Sequence, residues 1–356
     1  MTGGSDIKRP ILFVDIVQDY PAMGGVARVS EQVFRLLARQ FSPRVLSARA
    51  LARHRGLDAP DLAYLDRERH VAQALARQLP EAILFFPNFQ SPVPGLLRGG
   101  TSPVVNLIHD LQFAFLTQHF SPQRRDWLSG AFAEAGTHSD CLVFVSQTTR
   151  RHYLKRYGAP RNHAVIYNPV EVHSPGPRPP QAGSEPFLLA SMHAHPHKNF
   201  AGLFRVFDAL AARLPNLRLL LTGHGRETLS ELAAAGRVAP GRVVHLGHVE
   251  ERVLQSLSYH ATAFVSLSEF EGFNMSAALA ACHGTPLILS DLDAHRELFG
   301  QETLFLPAHV GPEDGAQRIA QFLGQPHSRY AWKWRPACSP ARVGAIYAEV
   351  IRHFGG

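Results

Sequence analysis

The feature that most constrains the fold is an alternation running the length of the 356-residue chain, in which short, near-continuous apolar runs are separated by stretches of helical periodicity. Ile11–Val17, Val45–Ala50, Ala82–Pro87, Val104–His109, Cys141–Ser146 and Ala164–Asn168 lack the apolar–polar alternation of a strand with one wet face. They are expected to be parallel strands covered on both faces. Helices are expected between them over Val26–Gln40, Glu68–Leu79, Gln123–Thr137 and Thr148–Tyr157. The pattern stops at Ser174–Pro186, where five prolines and two glycines leave almost nothing to bury, so this stretch reads as an interdomain linker.

It then restarts. Phe187–Met192, Leu217–Thr222, Val243–Leu246, Ala263–Leu267, Pro286–Ser290 and Thr303–Leu306 are the second set of expected strands. Phe200–Leu214, Val253–His260 and Ser276–His283 are helices between them. Pro340–Phe354 is an amphipathic helix outside the alternation. Two such runs predict an α/β chain of two Rossmann-like, doubly wound domains, residues 1–170 and 187–335, joined by a linker over 171–186. Residues 336–356 are expected to cross back to the first domain. Ligands of such sheets bind beyond the carboxyl ends of the strands, so two domains facing across a cleft would enclose the site, and the strand-end loops should carry the chemistry.

Charge divides the chain in the same way. Residues 1–180 hold 21 Lys and Arg against 14 Asp and Glu, whereas residues 181–356 hold 15 of each, so the net charge of +7 belongs to the first half. No stacking or groove-reading motif accompanies that charge, which argues against nucleic acid as the partner. Three cysteines without metal-like spacing point to a reduced, cytoplasmic setting. Met1–Pro10 is polar with no signal-peptide core, and no apolar run approaches the length of a membrane span.

The most informative segment is Ser268–Asp291, SEFEGFNMSAALAACHGTPLILSD. A strand ends and a helix begins around Glu271, Gly272 and Asn274, an arrangement whose free N–H groups can receive a phosphate. Taken alone, it is equally an ordinary strand-to-helix turn, with Gly272 at positive φ and Asn274 or Ser276 capping the helix. His193, His195 and His197 alternate along the chain, but Pro196 interrupts them and no carboxylate or cysteine joins them, so no metal site is expected. Thr222–Gly225 contains a G-x-G without the third glycine and reads as a tight loop.

The segment resembles the donor-binding signature of retaining glycosyltransferases of family four, E-G-F-G-x-P-x-x-E-A-x-A-C-G-x-P. It matches at Glu271, Gly272, Phe273, Gly284 and Pro286, with Asn274 where the second glycine usually stands. Other stretches fit in order along the chain: Gly24-Gly25 after the first strand, His109-Asp110 after the fourth, Phe144–Ser146 with Arg150, Ile166–Asn168, and the loop Pro196-His197-Lys198-Asn199. The resemblance implies the GT-B fold and a metal-independent, retaining transfer of sugar from a nucleotide-diphosphate sugar, with no cofactor.

Residue by residue, the resemblance implies a catalytic set of His109, Asp110, Lys198 and Glu271. Donor contacts would come from Gly24, Gly25, His193, Gly272, Phe273, Asn274 and Met275. Lys198 is one of four lysines among 36 basic residues, and it would stabilise the charge that builds on the departing diphosphate. His193, a weaker and pH-dependent cation, stands where the family places an arginine. Leu279 stands where the family has a second glutamate that grips the ribose hydroxyls. A leucine accepts no hydrogen bond, so a dTDP-sugar is favoured over a UDP- or GDP-sugar.

The basic first half, with the aromatic loop Gln112–Phe120 and the basic helix carrying Arg150, Arg151, Lys155 and Arg156, suits a glycan or lipid-diphosphate acceptor. It also suits peripheral binding at the anionic inner face of the cell membrane, as in relatives that build surface polysaccharides. Two other readings stand beside this one: a nucleotide-sugar epimerase on the same fold, against which the P-x-K-N and E-G-F-N loops argue, and a non-catalytic partner subunit built like a glycosyltransferase, which His193 and Leu279 encourage.

Overall fold

The computed structural model describes residues 9–14, 24–46, 82–87, 102–192, 195–224, 241–300 and 302–355. The expected helix Glu68–Leu79, His193 and Gly225 lie outside them. The chain divides into two compact units, residues 1–169 together with 337–356, and residues 170–336.

In the first unit, β1 (Ile11–Val14), β2 (Arg44–Leu46), β3 (Ile83–Phe86), β4 (Val104–Ile108), β5 (Cys141–Phe144) and β6 (His163–Val165) form one sheet in the order β2-β1-β3-β4-β5-β6. Every pairing is parallel. β3, β4 and β5 are buried at every position, as strands covered on both faces must be. Helix α1 (Gly24–Ala38) follows β1. The stretch read from the sequence as an aromatic loop contains a short helix, α2 (Gln112–Phe115), and a 3-10 turn at Thr117–His119. Its aromatic residues part company: Phe113 is buried with Phe132 and Tyr153, whereas Phe115 remains 49% exposed.

Helix α3 (Pro122–His138) starts at the Ser121 cap, and α4 (Gln147–Tyr157) starts at Ser146, whose hydroxyl accepts from Thr149 N–H. The chain's last helix packs on this first unit. Its Tyr347 meets Phe85 edge-on at 5.7 Å, and Gln40 donates to the Gly344 carbonyl.

The second unit repeats the plan with β7 (Phe187–Met192), β8 (Arg218–Gly223), β9 (Val243–Gly247), β10 (Ala263–Ser266), β11 (Leu287–Ser290) and β12 (Thr303–Leu306), in the order β12-β11-β10-β7-β8-β9. All pairings are again parallel. Between the strands run α5 (Phe200–Arg213), α6 (Glu251–His260), α7 (Met275–Cys282), α8 (Asp293–Leu298) and α9 (Pro312–Leu323), and the final helix is α10 (Pro340–Gly355). Neither α8 nor α9 is among the helices read from the sequence. The core is the apolar face of α5, with Phe204 and Phe207, laid on Leu219, Leu221 and Ile288 of the sheet and closed by Ile319 of α9.

The proline-rich stretch is not a free tether. Ser256 of α6 donates to the carbonyls of Gly176 and Pro177, Arg178 binds the carbonyls of Gly183 and Glu185 and lies over the Phe187 ring, and Ala182 is fully buried. Poor apolar content leaves a segment unable to make its own core, but its backbone carbonyls still dock on a neighbouring helix.

Candidate active site

In each sheet the strand order reverses once, between β1 and β3 in the first unit and between β7 and β10 in the second. The loops leaving two such strands diverge to opposite faces of the sheet, and the crevice between them is where open α/β sheets bind ligands. In the second unit those two loops are Pro196–Asn199 and Leu267–Asn274, the segments that carry Lys198 and Glu271.

Three bonds stitch these loops together. Asn199 donates through Nδ2 to the carbonyls of Leu267 (3.1 Å) and Ala308 (2.7 Å), while its Oδ1 caps α5 by accepting from Gly202 N–H. Glu269 N–H donates to the His197 carbonyl at 2.7 Å. Lys198 Nζ donates to Glu271 Oε1 at 2.7 Å. Asn199 adopts left-handed backbone angles (φ 51°), which suits asparagine better than most residues, and Gly202 must lack a side chain because a Cβ there would stand 2.5 Å from Asn199 Oδ1.

Burial alone would push the Glu271 carboxyl up, but the Lys198 ammonium, first by its charge and also by its hydrogen bond, leads the groups that hold it at about 2. It is therefore a fixed carboxylate, an acceptor only, and most of its surface is covered. Lys198 is accordingly not a solvated surface lysine: its side chain is 21% exposed and it spends one donor on Glu271.

Beyond Glu271 the chain turns into α7. Asn274, at φ 69°, is the left-handed residue of this turn, not Gly272 as the sequence suggested. Its Oδ1 accepts from Ala277 N–H at 3.1 Å, capping the helix. The N–H groups of Met275 and Ser276, in the first turn, have no intrahelical acceptor, as in any α-helix. Phe273 and Leu279 are both buried, Leu279 at 3% exposure. Gly284, at the other end of α7, takes φ 69° and brings its α-carbon against the Tyr330 backbone, where a Cβ would lie 2.8 Å from the carbonyl oxygen.

Sequence reasoning missed His295. It is fully buried in α8, with Nδ1 2.7 Å from the Ser290 carbonyl and Nε2 3.0 Å from Asn274 Nδ2. The available signal was its place beyond the end of β11, the strand beside β10. With twenty histidines in the chain, that signal does not stand out.

In the first unit, His109 follows β4. Its Nε2 lies 2.9 Å from the Pro87 carbonyl, which can only accept, so Nε2 carries the proton and Nδ1 the lone pair. Burial lowers His109 to about 4, opposed by that hydrogen bond, and the ring is neutral at pH 7. Asp110 Oδ1 accepts from Gln112 N–H and so tethers the start of α2. Gly24 and Gly25 open α1, and among the described residues nothing lies within 4 Å of where a Gly25 Cβ would be. Lys198, Glu271, Gly272, Phe273, Asn274 and Met275 thus gather at the switch point of the second unit. His109 and Asp110 are at the carboxyl end of β4 in the first unit, and Gly24 and Gly25 follow β1. Among the described residues, no three His, Cys, Asp or Glu side chains are grouped to hold a metal ion.

Two doubly wound parallel sheets, each with polar loops at its carboxyl ends, make up the GT-B fold. Sucrose-phosphate synthase from Thermosynechococcus elongatus aligns over 97% of this chain and all of its own length, with a TM-score of 0.72 at 16% identity. The Anabaena protein HepE, solved with UDP and glucose, aligns over 96% of this chain and 99% of its own, with a TM-score of 0.72 at 17% identity. Residues 186–325, within the second unit, match the family described as Glycosyl transferases group 1.

The phosphatidyl-myo-inositol mannosyltransferase of Mycolicibacterium smegmatis is 29% identical over 189 residues, 51% of this chain and 46% of that protein. An uncharacterized glycosyltransferase of Bacillus subtilis, YqgM, is 26% identical over 153 residues, 43% of this chain and 42% of its own. The matched stretches span less than half the length of these curated relatives.

Proposed function

We propose that the protein is a retaining, metal-independent glycosyltransferase that moves a sugar from a nucleotide-diphosphate sugar to a glycan or lipid-linked acceptor in surface polysaccharide biosynthesis. The observation that carries this reading is the Lys198–Glu271 pair at the switch point, beside the first turn of α7. Breaking the bond between the sugar's anomeric carbon and the phosphate leaves negative charge on the diphosphate. The remaining Lys198 donors and the N–H groups of Met275 and Ser276 are suited to receive it. The Glu271 carboxylate accepts hydrogen bonds from the sugar hydroxyls. The acceptor oxygen bonds to the anomeric carbon on the face the phosphate leaves, and its proton passes to the departing phosphate oxygen. Neutral His109 offers Nδ1 as an acceptor to the donor sugar, a polar contact and not a cation.

Release of nucleoside diphosphate from a panel of nucleotide sugars, with and without acceptor lipids, tests the reading. Unchanged release or unchanged cellular glycan in Lys198→Ala and Glu271→Ala would favour the partner-subunit alternative. Leu279 supports a deoxyribose donor, and calorimetry with dTDP, UDP and GDP tests it: tighter binding of UDP or GDP overturns that preference. The first unit's positive surplus and the exposed Phe115, 4.4 Å from the His152 ring, support peripheral contact with anionic lipid. Salt-insensitive or absent co-sedimentation with anionic liposomes would count against it.

A further inference from the structure

His295 has a protonation state that its neighbours dictate. Asn274 Oδ1 is committed to Ala277 N–H, so the amide's NH2 end faces His295 Nε2 at 3.0 Å, with Ser266 Oγ at 3.3 Å. An NH2 group only donates, so Nε2 must carry a lone pair. On the other side, Nδ1 faces the Ser290 carbonyl at 2.7 Å, which only accepts, so Nδ1 must carry the proton. Every partner is thereby satisfied by one form of the ring, the neutral Nδ1–H tautomer. Ser290 and Ser268 close the network, through a Ser290 Oγ bond to the Ser268 carbonyl and a 3.0 Å contact between the Ser266 and Ser268 hydroxyls. The imidazole is thus a wedge between the end of β11 and the turn that carries Glu271 into α7.

We infer that His295 is a positioning residue for the donor, holding Asn274, and through it the first turn of α7, in the conformation that receives the diphosphate, and that protonation of the ring releases this turn. The inference rests on the donor-site reading given above. A second proton on His295 would set an N–H at Nε2 against the Asn274 NH2 group. Rotating the amide to relieve that clash would break its bond to Ala277 and uncap the helix. The charged groups around the ring are Glu271 from the β10–α7 turn, Lys198 from the β7–α5 loop and Asp291 at the end of β11. Burial lowers its proton affinity, Glu271 and the Ser290 hydrogen bond raise it, Lys198 lowers it and Asp291 raises it, with burial the largest. The neutral form therefore holds near pH 7 and gives way on acidification.

Isothermal calorimetry of the full chain with UDP, dTDP and GDP, in steps from about pH 7.5 down to about pH 4.5, tests this. His295→Ala is expected to weaken the best-binding nucleotide about tenfold at the higher pH, but no more than about twofold when Asn274→Gly is already present, because the partner it acts through is gone. His295→Gln places an acceptor and a donor at similar spacing; it should recover most of the affinity lost in His295→Ala and remove the loss on acidification. Additive effects of the Ala and Gly changes, or the same pH profile in wild type and His295→Gln, would overturn the inference. If His295→Ala fails to fold, the His295→Gln profile decides alone. Failure of the wild-type chain to bind any of the three nucleotides would bring down the donor-site reading itself, and the inference with it.

Discussion

The two units share a fold but differ in how their strand-end loops are held. In the second, the loops after β7 and β10 are bound to each other by Asn199, by the Glu269–His197 backbone bond and by the Lys198–Glu271 ion pair. In the first, His109 is fixed by a backbone carbonyl on the neighbouring loop and Asp110 by its own chain two residues on. The unit with the surplus of positive charge keeps His109 neutral, while the near-neutral unit contains the Lys198–Glu271 ion pair. Net charge marks what a surface attracts, whereas opposite charges held together under partial burial fix the geometry of a loop.

The sharpest way to break this comparison is to remove one member of the pair. Lys198→Ala is expected to lower transfer by at least about a hundredfold, since it removes a fixed cation from the developing charge. It should also destabilise the fold by about 3 kcal/mol, because it strands a mostly buried carboxylate. The double variant Lys198→Met/Glu271→Leu should recover much of that stability and none of the activity. Denaturant unfolding and nucleoside diphosphate release read the two effects separately.

The Glu271 carboxyl is held below its ordinary value of 4.5, so the stability it confers is present above about pH 4.5. That stability fades as pH falls toward about 2. The stability difference between wild type and the double variant should shrink over that window; a difference flat from pH 7 to pH 2.5 would show that the pair contributes nothing.

Asn199→Ala comes next. It removes two cross-loop hydrogen bonds and a helix cap, and it puts alanine at φ 51°, for an expected loss of about 2–3 kcal/mol and a weaker donor affinity. This residue also shows how far the sequence could be read. The strand-end positions of Lys198, Asn199, Glu271 and His109 followed from the alternation of apolar runs, because backbone burial on both faces imposes a pattern visible in one dimension. The bonds Asn199 makes to Leu267 and Ala308 join residues distant in the chain, and no local spacing encodes them.

His295 escaped notice for the same reason: its tautomer follows from an amide 21 residues away. Helix α8 has only six residues, too few to show a helical period in the sequence. The docking of Ser174–Pro186 was missed because it depends on backbone carbonyls, which composition does not register.

A smaller effect separates the two histidine environments. His109 falls from an ordinary 6.5 to about 4, so in the fold it resists protonation. The stability linked to it is complete above pH 6.5 and is lost as pH drops toward 4. His109→Gln should flatten that part of the stability profile, and nucleoside diphosphate release by His295→Gln, which lacks the pH response of that histidine, should persist down to about pH 5 if His109 acts only as a neutral acceptor.

The mildest change tests whether the first unit's glycines serve the fold or the substrate. A Cβ at Gly25 meets nothing within 4 Å, whereas one at Gly202 would press on Asn199 Oδ1. Gly25→Ala should therefore leave stability unchanged or raise it by a few tenths of a kcal/mol, as replacing glycine in the first turn of a helix does. Gly202→Ala should lower it. If Gly25 exists to let a substrate approach the backbone, Gly25→Ala will lose transfer activity despite its intact fold. Retained activity in Gly25→Ala would leave the glycine pair with no part in binding and would place the first unit's contribution at the end of β4 instead.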